Sequence, residues 1–445
     1  MRALVDAWAR EGKLIEIEDE VSAKYEVAAL CAQREHEGLP ILFHTVDGRH
    51  AVIMNVLGSR AMLAEALNIP QEQLLQFLVD RTDCSSSSSS EGGSVAIVEH
   101  SPTREVVTAP KLNKLPILTF FKDDGGAYIT GAIVIAERNG IMNASFHRML
   151  VLDENRVAAR LVPSRHLYKM YREALEHGEY LKVGIAIGVD PLILFAAATR
   201  VPPGKEFEYA AALKRCPLEL FKLDNGIAVP HAEFAFEGII GEERAREGPF
   251  LDITGTYDLI RDEPVITLTR MYHRNEPIYH AILPAGKEHQ LLMGVPYEPL
   301  IYRAVESVAR VRNVYLTDGG CCYLHAVVQL TKEKEGEPKN AIIAAFAAHP
   351  SLKRVIVVDD DINLFDPADV EYAVATRVRW HEDLVLIPGA KGSTLDPSSQ
   401  DGLTTKVGID ATKPLAGAEQ YERVVKAAMK KASSRSSFPT HRYDR

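Results

Sequence analysis

The sequence predicts three successive regions: an α/β region, a central region built mainly of β-strands, and a second α/β region. The length of 445 residues exceeds what one hydrophobic core usually organises. Near residue 111 the pattern changes to alternating and β-branched runs, and after residue 313 strands and helices alternate again. The predicted boundaries are 1–110, 111–297, a linker helix over 298–312, 313–431, and a flexible tail over 432–445.

The first region begins with a predicted helix over Met1–Glu11. A strand is predicted over Ala51–Val56, and Gly58-Ser59 then provides a helix start because serine is a favourable N-cap. The uninterrupted serine run Ser85–Ser90 has nothing to bury and is predicted to be a low-complexity loop without an assigned function.

The central region contains strand-like runs separated by turn residues, a spacing typical of a meander that closes into a barrel. A helix is predicted over His166–His177. The predicted strands are Gly131–Glu137, Ile141–Leu152, Arg156–Val162, Leu181–Gly188, His231–Phe236 and Val265–Arg270.

The last region follows a predicted linker helix over Pro299–Arg310. Alternation of strands and helices indicates a mainly parallel sheet here. The predicted elements are strand Tyr323–Leu330, helix Asn340–Ala348, strand Arg354–Val358, helix Pro367–Ala375 and strand Leu384–Pro388.

The composition is that of an ordinary globular protein, with 46% hydrophobic and 25% charged residues. A net charge of −10 argues against nucleic acid or an anionic membrane as the main partner. The N-terminal segment lacks a secretory signal pattern, and no apolar run reaches membrane-spanning length. The five cysteines form no CxxC pair, which favours reduced thiols and a cytoplasmic location.

The segment from Glu247 to Tyr257 carries two carboxylates, Glu247 and Asp252, around the Gly248-Pro249 turn. Proline fixes its own φ and glycine permits unusual angles, so such a segment can aim two acids at one point. A proton-transfer site needs that arrangement. Acid-Gly-Pro turns are more often surface features, so the motif alone does not decide between the two interpretations.

A second group runs from Asn143 to Arg148. Asn143 and Arg148 are an odd number of positions apart in the chain, so a regular strand would place their side chains on opposite faces. They can serve one site only if the backbone bulges or wraps around a ligand. The alternative is a hairpin strand with an exposed arginine.

His166 is predicted at the first turn of a helix, where histidine is usually a capping or packing residue but can also bind a metal. Glu233 falls where strand alternation would bury it, and a buried carboxylate needs a partner. Together with Asn143, these side chains form a mixed nitrogen and oxygen set suited to Mn²⁺ or Mg²⁺. Asp359–Asp361 follow a predicted strand and favour a structural loop over a magnesium site.

In this order, the motifs resemble the UbiD family of prenylated-FMN-dependent decarboxylases. The resemblance covers nearly the whole chain, and several ordered motifs are more specific than any one of them. It implies an N-terminal α/β domain, a central split β-barrel similar to flavin reductases, and a C-terminal α/β domain used in oligomerisation. The matching segments are Asn143–Arg148, His166, Glu233, Glu247–Phe250, Pro284–His289, Leu291–Gly294, His349–Leu352, Val357–Asp361 and Lys391–Pro397.

The resemblance also implies a ligand set. Asn143, His166 and Glu233 match the family's ligands for Mn²⁺ (or Mg²⁺), which holds the cofactor phosphate, with K⁺ close by. The implied residues around the prenylated FMN are Asn143, Ser145, Phe146, His147, Arg148, Arg165, His166, Glu233 and Lys391.

The implied catalytic set is Arg148, Glu247 and Asp252. Arg148 would hold the substrate carboxylate and tune Glu247, and Asp252 would supply a proton after CO₂ leaves. Many relatives carry glutamate where this chain has Asp252 and glycine where it has Leu251. Aspartate is one methylene shorter, so either the substrate sits closer or the proton passes through water.

The function implied is reversible decarboxylation of an aromatic, heteroaromatic or α,β-unsaturated acid, with CO₂ as the other partner. A flavin prenyltransferase would supply the cofactor, and a homodimer or homohexamer is expected. Two alternatives stay open: an FMN-dependent reductase on the same barrel, and a non-catalytic oligomeric homologue. Hydride transfer does not need the two acids, which disfavours the reductase.

Overall fold

The computed structural model describes residues 1–82 and 93–424. The serine run Ser85–Ser90 and the predicted tail from residue 432 lie outside the described residues. Among the helices of the described residues, none combines the length and hydropathy that a membrane crossing requires.

The N-terminal region is a small α/β unit whose sheet consists of four short strands, in the order Ile15–Ile17, Ile41–Phe43, Val52–Met54 and Tyr279–His280. Ser59 caps helix α3 by accepting a hydrogen bond from the Met62 amide at 3.2 Å, which confirms the predicted helix start. Its elements are α1 (Arg2–Arg10), β1 (Ile15–Ile17), α2 (Glu26–Arg34), β2 (Ile41–Phe43), β3 (Val52–Met54), α3 (Arg60–Ala66) and α4 (Leu74–Thr82).

The central region is mostly β. Its strands are β4 (Val95–Val98), β5 (Val106–Thr108), β6 (Tyr128–Ile129), β7 (Ala132–Arg138), β8 (Ile141–Phe146), β9 (Met149–Val151), β10 (Arg156–Ala159), β11 (Leu181–Ile187), β12 (Leu218–Lys222), β13 (Ala228–Pro230), β14 (Phe234–Glu247), β15 (Phe250–Leu251), β16 (Tyr257–Asp258), β17 (Arg261–His273) and β18 (Tyr279–His280). The helices here are α5 (His166–Glu176), α6 (Pro191–Ala198) and α7 (Glu206–Lys214), and α8 (Lys287–Gly294) leads out of the region.

Nine of these strands form one sheet with the path β6-β9-β10-β17-β14-β11-β7-β8, with β5 pairing to β17. The path is open, so the strand pairing does not confirm the predicted split barrel. β8 and β9 follow each other in the chain, but β8 is the last strand of the path and β9 is next to the first, β6. The link between them therefore connects two distant parts of the sheet.

The predicted continuous strand Ile141–Leu152 is interrupted at His147 and Arg148. β8 pairs with β7, whereas β9 pairs with β10 and β6. The Arg148 carbonyl accepts a hydrogen bond from the Arg160 amide at 3.1 Å across the break. This change of partner frees Arg148 from the strand alternation that would have separated it from Asn143.

The C-terminal sheet has the order β19-β20-β21-β23-β22. Its two inner pairings are parallel and its two outer pairings are antiparallel, so it is mixed rather than mainly parallel. The predicted linker helix ends earlier than expected because Arg310 begins a strand. The elements are α9 (Glu298–Glu306), β19 (Arg310–Leu316), β20 (His325–Thr331), α10 (Glu337–Ala348), β21 (Arg354–Asp359), α11 (Pro367–Arg377), β22 (Leu384–Lys391) and β23 (Leu403–Ala411).

Both faces of the central sheet are covered by hydrophobic cores. Along β7, Val134 and Ala136 pack into one core while Ile133 and Ile135 pack into the other. This explains the nearly continuous apolar run of that strand. Separate cores lie on the two sides of the C-terminal sheet.

A buried ion pair joins the N-terminal region to the start of the C-terminal region. Arg60 of α3 donates two hydrogen bonds, of 2.8 and 2.7 Å, to the Glu298 carboxylate, which is fully buried. The same carboxylate accepts the Leu316 amide at 3.0 Å. The Arg60 guanidinium also lies over the rings of Tyr315 and Phe365.

Arg60→Met should lower the free energy of unfolding by about 3–5 kcal/mol, because it leaves the Glu298 charge buried without a partner. The double variant Arg60→Met/Glu298→Leu should recover most of that loss. Arg172→Met, which breaks an exposed pair with Glu176, is the matched control and should cost about 0–1 kcal/mol. Urea unfolding measures all three, and equal losses from the two single variants would contradict this role of the Arg60 pair.

Candidate active site

Residues 247–261 form a compact hairpin between two long strands. β14 ends at Glu247 and β17 begins at Arg261, and these two residues are paired in register. Inside the hairpin, β15 and β16 pair so that Phe250 lies opposite Asp258. The tip is closed by a hydrogen bond of 3.0 Å from the Asp252 amide to the Thr256 carbonyl. The hairpin thus carries Glu247 and Asp258 near its base and Asp252 at its tip.

The Gly248-Pro249 turn is held from outside the hairpin. Gly248 has φ +102°, which a side chain would strain, and the peptide bond to Pro249 is cis. The Tyr128 hydroxyl accepts the Gly248 amide at 3.0 Å, and the Gly125 amide donates to the Pro249 carbonyl at 2.8 Å. A Cβ on Gly125 would lie 2.5 Å from the Gly248 carbonyl oxygen, so only glycine fits there.

The Arg148 guanidinium lies at the centre of this group. It binds Glu247 side-on, with 2.9 Å from Nε and 3.0 Å from Nη2. Nη1 donates to Asp252 at 3.0 Å, and Nη2 donates a second bond to Asp258 at 2.9 Å. The structure therefore brings together the three predicted catalytic residues and adds Asp258, which the sequence analysis missed.

The charges in this group are strongly coupled. Burial disfavours the Arg148 cation, but Glu247, Asp252 and Asp258 together raise its pKa above the ordinary arginine value. Burial likewise acts to raise the pKa of Asp258, but the hydrogen bond from Arg261 and the charge of Arg148 lower it to about 2. Glu247 is fully buried, so Arg148 is the cation that makes its ionised form tolerable.

His289 of α8 lies within electrostatic reach of Asp252 and Arg148. Burial lowers its pKa, Arg148 lowers it further, and Asp252 acts in the opposite direction. Its Nδ1 accepts the Ala285 amide at 3.0 Å, which leaves the proton of the neutral ring on Nε2. The sequence analysis placed His289 in a matching segment but assigned it no role.

A chain of hydrogen bonds orders the predicted cofactor-binding residues of β8. The Asn143 amide nitrogen donates to Ser145 Oγ at 2.9 Å, and Ser145 contacts His147 Nε2 at 2.9 Å. His147 Nδ1 donates to the Arg160 carbonyl at 2.9 Å, and burial lowers the pKa of His147 to about 4. Because the side-chain nitrogen of the buried Asn143 is bonded to Ser145, its side-chain oxygen is the atom that can bind a cation.

His166 is the first residue of α5, a helix that packs against β7 and β8. Burial, followed by the charges of Lys169 and Arg165, lowers its pKa. The ring is therefore neutral at neutral pH, the form that binds metals. Arg165 directly precedes it, and Phe146 is half-buried at the end of β8. Lys391, by contrast, is exposed at the end of β22.

Glu233 is buried, as predicted, but its carboxylate is paired with a residue outside the predicted ligand set. It directly precedes β14. The Glu233 carboxylate accepts three hydrogen bonds from Arg2, of 2.8–3.1 Å, and the Ile278 amide at 3.1 Å. The buried charge is thus already satisfied.

Glu206 is the carboxylate that the sequence analysis missed. It begins α7, which packs against β8, and a Cβ on Gly204 would lie 3.2 Å from the Met142 carbonyl, next to Asn143. Glu206 is buried without an ion-pair partner among the described residues, and burial raises its pKa to about 7. Glu206 shares a helix face with Ala210 and Leu213, which are both buried, and this spacing could have indicated an acid that faces the core.

Three family models match the chain in succession. The 3-octaprenyl-4-hydroxybenzoate carboxy-lyase N-terminal domain matches residues 5–82. The Rift-related domain of the same carboxy-lyase matches residues 96–287, and its C-terminal domain matches residues 290–411. The chain belongs to the UbiD family.

Relatives of this UbiD chain are named decarboxylases. An anhydromevalonate phosphate decarboxylase of Methanosarcina mazei is 54% identical over 427 residues, covering 95% of this chain and 98% of that protein. A second protein of that name, from Archaeoglobus fulgidus, is 48% identical and covers 92% of this chain and 93% of its own length. Phenolic acid decarboxylase of Bacillus subtilis is 30% identical, over 93% of this chain and 92% of that protein. The chain is a carboxy-lyase of the UbiD type.

Solved UbiD-class structures share the fold. HmfF from Pelotomaculum thermopropionicum in complex with FMN has a TM-score of 0.92 and 36% identity, covering 98% of this chain and 99% of that chain. An evolved dimeric form of HmfF in complex with prenylated FMN has a TM-score of 0.85 and 34% identity, covering 96% of this chain and 99% of that chain. The mixed α/β architecture described above is thus that of UbiD-class enzymes.

Proposed function

We propose that this chain decarboxylates anhydromevalonate phosphate, using prenylated FMN and a divalent cation. The observation that carries the proposal is the buried group of Arg148, Glu247 and Asp252, in a chain that matches relatives of that name over nearly its full length. Removal of water from mevalonate next to its carboxylate gives an α,β-unsaturated acid. The sequence left aromatic, heteroaromatic and α,β-unsaturated acids as possible substrates, and the proposed substrate belongs to the α,β-unsaturated class.

The proposed metal ligands are Asn143, His166 and Glu206, with Glu206 in place of Glu233. An amide oxygen, a neutral imidazole and a carboxylate suit Mn²⁺ or Mg²⁺. The fit is supported by the unpaired, buried carboxylate of Glu206 and by the ordered amide of Asn143. A cation there would hold the cofactor phosphate, since a phosphate and a carboxylate repel each other without one.

Prenylated FMN, when bound, supplies the electron sink that loss of CO₂ from an unsaturated carbon requires. Arg148 binds the substrate carboxylate through Nη1, because Nε and Nη2 are committed to Glu247 and Asp258. Asp252, bound to the same Nη1, lies next to the carbon that loses CO₂ and delivers a proton to it. The C–C bond to the carboxylate breaks and a C–H bond forms at that carbon, which yields a five-carbon alkenyl phosphate and CO₂.

The substrate is tested by assaying CO₂ release after co-expression with a flavin prenyltransferase. Anhydromevalonate phosphate should be turned over, and the acid without its phosphate should react more slowly because the binding energy of the phosphate is lost. Furoic, hydroxybenzoic and cinnamic acids serve as comparison substrates. Faster release of CO₂ from any of them would overturn the proposed substrate.

Glu247→Gln should lower kcat by about 10²-fold, because Arg148 then loses its ionised partner and with it the position in which it holds the substrate carboxylate and Asp252. The flavin absorption spectrum of the purified protein should stay unchanged. Glu243→Gln, on the same strand but exposed and paired with Arg156, is the matched control and should keep full activity. Normal turnover by Glu247→Gln would remove this residue from the mechanism.

Glu206→Gln should abolish Mn²⁺ binding, measured by calorimetry and by the metal content of the purified protein, because a neutral amide cannot balance the cation. Glu233→Gln should retain the metal and lose only stability, since its carboxylate binds Arg2. The opposite result, with metal lost from Glu233→Gln and kept by Glu206→Gln, would restore the assignment made from sequence.

A further inference from the structure

We propose that Asp258, held by Arg261, is a positioning residue for proton transfer. It fixes the Arg148 guanidinium so that only the Nη1 end is left to bind the substrate carboxylate, and it places a negative charge close to Asp252. This inference rests on the proposed decarboxylation. Asp258 itself does not contact the reacting carbon in that mechanism.

Most of the N–H donors of Arg148 are already used. A guanidinium has five N–H donors, and Glu247 and Asp258 take three of them, on Nε and Nη2. Of the two on Nη1, one is donated to Asp252, so a single N–H is left for a ligand. Without Asp258, Nη2 would offer a second N–H away from Asp252, and a substrate carboxylate could bind in the wrong place.

Asp258 is itself held by several contacts. Its Oδ2 accepts Arg261 Nη1 at 2.7 Å as well as Arg148, and its Oδ1 accepts the Leu259 amide at 2.8 Å. The register that places Phe250 opposite Asp258 ties it to the same hairpin as Asp252. The Asp258 side chain is 9% exposed. The hairpin therefore fixes both the Nη1 and the Nη2 end of the Arg148 guanidinium.

Charged groups surround Asp252 on several elements. They are Arg148 between β8 and β9, Glu247 on β14, Asp258 on β16, Arg261 on β17 and His289 on α8. With His289 neutral, three carboxylates and two guanidinium groups leave one net negative charge. The Tyr128 hydroxyl on β6 adds none. A substrate carboxylate would add a second negative charge close to Asp252.

Two substitutions with opposite charge effects test this assignment. Asp258→Asn removes a negative charge, so the falling limb of the kcat–pH profile should move about 1 unit to lower pH. Arg261→Gln removes a positive charge, and the limb should move to higher pH. If Asp258 and Arg261 had only structural roles, the two variants would not move the limb in opposite directions. Asp262→Asn, an exposed acid on the same hairpin strand, is the matched control and should leave the limb in place.

Asp258→Asn should also lower kcat about tenfold at neutral pH, because a shift of the falling limb by about 1 pH unit changes the rate on that limb tenfold. The change in KM should be smaller. Shifts of both variants in one direction, or no shift in either, would overturn the assignment. So would a rise in KM with kcat unchanged. If Asp258→Asn does not fold, Arg261→Gln decides alone, with an upward shift supporting the assignment and an unmoved limb refuting it.

A readout without turnover separates this inference from the proposed function. Carbon-13 labelling of the aspartate carboxyl groups, with the Asp252 signal assigned from Asp252→Asn, follows its protonation by NMR. The titration midpoint should move down in Asp258→Asn and up in Arg261→Gln. Absence of CO₂ release by the wild type would refute the proposed function alone, and unmoved midpoints would refute the role of Asp258 alone.

Discussion

The ion pairs of the Arg148 guanidinium are the interaction on which the candidate site depends. Glu247 is fully buried and would be unstable as an anion without that cation. Arg148 reaches it because the chain changes strand partners between β8 and β9. Because β8 is the last strand of the sheet path and β9 is next to the first, the break that frees Arg148 also links two distant parts of the sheet. The fold and the charge arrangement therefore depend on one short segment.

The tip of the hairpin extends this arrangement into the C-terminal region. Ile253 is buried in the core of that region, and Thr254 Oγ1 donates to the Leu395 carbonyl at 3.1 Å. Asp252 precedes these two residues, so the acid at the tip is located by contacts from both regions. His289 on α8, the last helix of the central region, lies within electrostatic reach of the same carboxylate. The proposed proton donor thus sits where the regions meet.

Local patterns in the sequence were sufficient for the order of regions, for most helices and strands, and for the acid pair around Gly248-Pro249. They were not sufficient for contacts set by strand register. Asp258 joins the group only because it lies opposite Phe250, which no local pattern encodes. Glu233 was correctly predicted to be buried, but its partner, Arg2, is more than two hundred residues away in the chain. The prediction of a mainly parallel C-terminal sheet was wrong, and the split barrel is not confirmed, because strand neighbours are likewise set over long range.

The central claim is that Asp252, held by Arg148, transfers the proton at the carbon that loses CO₂. The most direct measurement incubates the loaded enzyme with the five-carbon alkenyl phosphate product in D₂O and follows that carbon by NMR. Because proton transfer is reversible, the wild type should exchange its hydrogen for deuterium, and Asp252→Asn should do so at least about 100-fold more slowly. Undiminished exchange in Asp252→Asn would contradict the account.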